Sequence, residues 1–149
     1  LYRVGHGLLK PLTRVLYRPR ITGVENVPRT GGVILASNHL SFIDSFAIPL
    51  AAPRQVHFLA KSDYFTGTGP VGWLNREFFE SVGAVPVDRH SPRAAQESLD
   101  IGLRILNEGK AFALYPEGTR SRDGRLYRGR TGVGWLALTA GVPVVPAAS

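Results

Sequence analysis

One histidine and one aspartate, His39 and Asp44, stand five positions apart in the stretch NHLSFID, just after the apolar run GGVIL. A carboxylate bonded to one imidazole nitrogen fixes the tautomer and leaves the other nitrogen free to accept a proton. On an unbroken helix the two side chains would point apart, because helical neighbours lie three or four residues away. A bend at a helix start removes the difficulty. Ser41 reads as an N-cap and Asp44 as its capping-box partner, which puts His39 in the turn before the helix and Asp44 in its first turn. Capping and orienting are compatible roles, since a carboxylate has two oxygens. Taken alone, the stretch equally describes a capped helix start with a histidine nearby. Ser37, Ser41 and Ser45 lie close in sequence, but no G-x-S-x-G elbow is present. A base without a protein nucleophile points to activation of a substrate hydroxyl or of water.

Other polar and glycine-rich turns also follow apolar runs. VILAS leads into Asn38 and His39, GAVPV into Asp88 and Arg89, and KAFALY into Pro116, Glu117, Gly118, Thr119, Arg120 and Ser121. If the runs are strands, these turns gather at their carboxyl ends, where open α/β sheets place ligands. The segment YPEGTRSRDGRLYRGR carries Arg120, Arg122, Arg125, Arg128 and Arg130 beside Glu117. Backbone amides near Gly118 together with guanidiniums can hold a phosphate. Arg89 and Arg120, next to strand ends, are the better phosphate candidates, whereas Arg122 and Arg125 read equally well as an exposed loop. TGTGP, before the next helical pattern, reads as a left-handed turn, with a mobile flap as the alternative.

The elements that must position these residues follow from apolar periodicity. Residues 1–18 place Leu1, Val4, Leu8, Leu9, Leu12, Val15 and Leu16 within an arc of roughly 140°. Arg3, Lys10, Arg14 and Arg18 face the other way, so a basic amphipathic helix is expected, suited to a membrane interface or to packing on the core. RITGVENVPRTGG reads as a short strand and turn. VILAS, QVHFLAK, GAVPV, KAFALY and VPVVPA read as core strands. Helices are expected from about Phe42 to Leu50, near Val71 to Glu80, from Ser91 and Pro92 as N-cap and N1 to Asn107, and from about Thr131 to a C′ residue at Gly141. The expected fold is α/β: a mostly parallel central sheet with helices on both faces, preceded by the amphipathic helix of residues 1–18, with residues 19–149 as the α/β domain.

Composition narrows the chemistry further. With no cysteine, disulfides and thiolate metal sites are excluded, and the histidines at 6, 39, 57 and 90 show no HExxH-type pairing, so no metal is expected. Eighteen basic residues, 15 of them arginine, against 11 acids give a charge of +7, which points to an anionic partner. No helix-turn-helix, RNA-recognition or zinc pattern appears, so nucleic acid is not expected. Thr131 to Ser149 carries no charge, but Pro143 and Pro146 would break a spanning helix. The chain opens on Leu1 and contains no methionine, so a fragment is expected, with the last core elements absent.

In this order, NHLSFID, GAVPVDR, YPEGTRS and VPVVPA resemble the four sequence blocks of the glycerolipid acyltransferase family, over residues from about 20 to 149. Its best-known bacterial members are the 1-acylglycerol-3-phosphate acyltransferases. The resemblance implies that His39 is the general base and Asp44 its orienting partner. It implies that Arg89, Glu117, Gly118, Thr119 and Arg120 hold the glycerol phosphate acceptor. Asn38, Ser41, Asp88, Arg130 and Pro146 would be donor-site or structural residues. The family uses acyl-CoA or acyl carrier protein thioesters as co-substrate, with no cofactor. A lysophosphatidic acid-type acceptor, with another lysophospholipid or glycerol phosphate as the alternative, and a peripheral or monotopic place on the cytoplasmic face of the cell membrane are the corresponding expectations. Two departures are visible: Arg130 stands where many members have lysine, and Ala147 replaces a larger aliphatic. Readings of another class are a non-catalytic anionic-lipid-binding module and a thioesterase in which His39 activates water.

Overall fold

A computed structural model describes residues 20–88 and 93–148. Strands and helices alternate along them: β1 (Val33–Ser37), α1 (Asp44–Ala51), β2 (Val56–Lys61), α2 (Gly69–Ser81), β3 (Ala84–Val87), α3 (Ala94–Asn107), β4 (Ala111–Leu114), α4 (Gly132–Ala140) and β5 (Val144–Ala147). The five strands form one sheet in the order β3-β2-β4-β1-β5, and every pairing is parallel.

The central strands β1 and β4 are apolar on both sides because each side meets helices. Val33 and Leu35 of β1, Val56, Phe58 and Ala60 of β2, and Ala111 and Ala113 of β4 share one cluster with Phe46 and Ile48 of α1 and Phe79 of α2. The alternate residues Ile34, Phe112, Leu59 and Leu114 share the other with Ile105 and Leu106 of α3 and Leu136 of α4. Helices α1 and α2 therefore cover one face, and α3 and α4 the other. The close fit on the second face depends on Gly102: a Cβ there would stand 2.7 Å from the ring of Phe112.

The strand order places the site. From β1 the chain steps across the sheet to β2 and β3, then reverses to reach β4 and β5. The connections leaving the neighbours β1 and β4 consequently run to helices on opposite faces, α1 and α4. A crevice opens between their carboxyl ends, at the switch point of the topology.

Two expectations are corrected. The stretch RITGVENVPRTGG forms no strand; Val24–Asn26 is a single 3-10 turn. Pro28 has no N–H to give a ladder. The carbonyls of Pro28 and Gly31 instead accept from the Arg54 guanidinium, which also donates to Gly109 O. Helix α3 begins at Ala94, with Arg93 at its cap position and no side-chain capping bond. The expected cap Ser91 with Pro92, the expected helix of residues 1–18, and Arg89 all lie outside the described residues. Gly141 closes α4 as expected, in the left-handed conformation.

Candidate active site

Register brings the two key turns level. Ala36 of β1 pairs with Leu114 of β4, so the chain leaves both strands at the same height. The turn after β1 then winds into α1 through Asp44 N–H donating to Ser41 O at 3.2 Å and Ser45 N–H to Phe42 O at 3.2 Å. The expected helix start at Phe42 is thus a tighter turn, and the α-helix proper begins at Asp44. The N-cap of that helix is Ile43, with no side-chain capping bond, so the expected N-cap Ser41 closes the preceding turn instead. Ser41 Oγ accepts from Ile43 N–H at 3.3 Å, and the Asp44 carboxylate reaches back to Ser41 N–H at 2.7 Å.

That reach also brings Asp44 to the histidine. His39 Nδ1 lies 3.2 Å from Asp44 Oδ2, and the same oxygen accepts Leu40 N–H at 2.7 Å. Burial alone would push the Asp44 carboxyl up, but the bonds from Ser41, His39 and Leu40 outweigh it and hold it below the usual aspartate range. An ionised Asp44 places the proton on Nδ1 and leaves Nε2 as the free acceptor. Asn38, just before, receives the Ser37 hydroxyl on its carbonyl at 3.0 Å.

The turn after β4 holds His39 from the other side. The Tyr115 ring stacks on the imidazole with centroids 3.8 Å apart and an angle of 10°. Burial pushes the Tyr115 hydroxyl up to about 12, against the pull of its bond with Ser45, and the Asp44 charge adds to the rise. Glu117 is buried, and its two carboxylate oxygens have different partners: Oε1 accepts His39 N–H at 3.2 Å, and Oε2 accepts Tyr127 N–H at 2.8 Å. Ser121 N–H donates to His39 O at 2.7 Å, so both backbone groups of His39 are tied to this segment. Gly118 has a φ of +71, which a side chain would strain, and a Cβ there would also crowd Arg130 Nε at 3.2 Å. Arg130 N–H donates to Pro116 O at 2.8 Å, which closes the loop.

A cavity of about 180 Å³ opens beside His39. Phe42, Phe46, Phe58, Tyr64 and Phe79 supply aromatic wall, while Lys61 and Arg120 bring positive charge to it. Of the residues singled out from the sequence, His39, Asp44, Ser41, Glu117, Gly118, Arg120 and Arg130 meet at the crevice. Thr119 is exposed on the same turn. Pro146, on β5, pairs with Ala36 at the base of the β1 turn. Asp88 follows the edge strand β3, three strand positions from β1 and about 14 Å away across the sheet. Sequence reasoning missed Tyr115 as a partner of His39 and missed the aromatic wall. Both arise from contacts between distant segments, and only the position of Tyr115 at a strand end hinted at a role.

A family model described as "Acyltransferase" matches residues 18–149. The chain is 34% identical over 131 residues to the chloroplastic 1-acyl-sn-glycerol-3-phosphate acyltransferase BAT2 of Brassica napus, covering 87% of this chain and 36% of that one. It is 29% identical over 150 residues to the 1-acyl-sn-glycerol-3-phosphate acyltransferase of Bacillus subtilis (strain 168), covering 99% and 70%. The chain thus spans about a third of the length of the Brassica relative. Its fold resembles that of the 1-acyl-sn-glycerophosphate (LPA) acyltransferase PlsC from Thermotoga maritima, with a TM-score of 0.72 at 24% identity over 97% of this chain and 56% of that one.

Proposed function

The chain belongs to the acyltransferase family, and from that premise we propose that it transfers a fatty acyl group from an acyl-CoA or acyl carrier protein thioester to the free hydroxyl of a 1-acylglycerol-3-phosphate. The observation that carries this reading is the 3.2 Å contact of His39 Nδ1 with Asp44 at the mouth of the aromatic cavity. His39 Nε2 takes the proton from the acceptor hydroxyl as its oxygen attacks the thioester carbonyl. The tetrahedral intermediate collapses with loss of the thiolate, which recovers the proton from the imidazolium. The products are a diacylglycerol phosphate and a free thiol. Asp44 holds the imidazole in the required tautomer and stabilises its cation. The aromatic wall suits an acyl chain, and Arg120 suits a phosphate.

Both acceptor and product are amphiphiles, so the site works at a lipid surface. No described helix is long and apolar enough to cross a membrane, and the basic charge of +7 supports docking on anionic headgroups from one side. Thiol release from acyl-CoA, measured with and without lysophosphatidic acid, tests the reading. Acceptor-dependent release is expected; acceptor-independent release would make the protein a thioesterase, and no release a lipid-binding module. His39→Ala should lower turnover by about 10²–10⁴-fold, the usual range for a general base, with the fold retained.

A further inference from the structure

Glu117 carries a carboxylate with only 5% of the residue exposed, and both of its oxygens are engaged by main chain. One accepts the N–H of His39, the other the N–H of Tyr127 ten residues on. These two amides belong to separate segments, the turn after β1 and the loop that carries Arg120 to Arg130. A carboxylate used in this way is a clamp between segments. It is also poorly suited to an acceptor phosphate, since two anions in a partly buried crevice repel.

We infer that Glu117 is a positioning residue for His39 and not a ligand of the acceptor. Its Oε1 fixes the main chain of the base, its Oε2 fixes the loop whose Ser121 N–H bonds His39 O, and together they set where Nε2 meets the hydroxyl. The inference rests on the acyl-transfer reading with His39 as base. It assigns the acceptor phosphate to guanidiniums such as Arg120 and gives Glu117 no contact with substrate.

Steady-state kinetics of Glu117→Gln with acyl-CoA and lysophosphatidic acid separate the two roles. The amide keeps one acceptor oxygen but turns an NH2 toward the other main-chain N–H, so the clamp opens while size is kept. Displacement of a base by an ångström costs on the order of 10²-fold in rate. Turnover should therefore fall by about 10–100-fold with the acceptor KM within about twofold of wild type. A raised acceptor KM with turnover kept, or no change in either, overturns the inference. Glu117→Asp keeps the charge and serves if the glutamine variant does not fold; the same drop in turnover at constant KM is expected. Imidazole 1H–15N spectra give a readout independent of activity: the His39 signals should shift in either variant, and unchanged signals count against the clamp. Wild-type protein without acceptor-dependent thiol release would instead remove the acyl-transfer reading and leave the spectra to decide on the clamp.

Discussion

His39 is held on three sides by residues with separate tasks: Asp44 on the ring edge, Tyr115 on the ring face, and Glu117 on the main chain. The Tyr115 hydroxyl, pushed up to about 12, stays neutral at working pH and adds no charge beneath the imidazole. Asp44 carries a pH dependence of its own. Its folded-state value lies below the ordinary 3.8, so ionisation contributes stability that is present above 3.8 and lost as pH falls through the folded-state value. Asparagine at this position has no such proton to bind. The stability gap between wild type and Asp44→Asn should shrink below about pH 4, as read from urea midpoints across pH. The dyad was legible because a capping box already places an aspartate at a fixed offset from the turn before a helix. The role of Glu117 was not, because its partner lies 78 positions away and spacing says nothing about such a pair.

Among the elements, the apolar runs located all five strands, and alternation with helical patterns gave the parallel sheet. Periodicity names neither neighbours nor order, so it could not show that β4 inserts beside β1. That insertion is what brings YPEG to His39. The misread stretch near Ile21 had the apolar spacing of a strand, but Pro28 has no N–H to give a ladder, and Arg54 takes the Pro28 and Gly31 carbonyls instead. Helix α3 lies so near β4 that Gly102→Ala would drive a methyl to 2.7 Å from Phe112. The ring is buried and has no room to yield. Overpacking of this kind costs about 1–3 kcal/mol, against a helix-propensity gain of up to about 1 kcal/mol. A net loss of stability is expected in chemical unfolding, with activity of the folded fraction kept.

For the whole molecule, the charge of +7 and the apolar surface act together. Val71, Trp73 and Leu74 of α2 stand more than half exposed, as does Ile43 near the cavity mouth. On the proposed reading, that charge would steer the protein to anionic lipid over roughly a Debye length, about 10 Å at 0.1 M salt. Binding to vesicles containing phosphatidic acid should weaken as salt rises from about 0.05 to 0.5 M, and binding to neutral vesicles should change little. Sedimentation with the two lipid mixtures checks this. Net charge was plain in the composition. Which apolar side chains stay exposed was not, because exposure is settled by packing.

The two hydrogen bonds that tie His39 to the segment of Glu117 and Ser121 join parts of the chain about eighty residues apart. Closing a loop of that length is slow compared with forming the local turn around Asp44. During refolding, the dyad's own turn can form early while the histidine still lacks its main-chain anchors. His39 therefore gains its main-chain anchors late, when β4 slots between β1 and β2, and the growing chain holds no fully anchored imidazole until the loop after that strand has emerged.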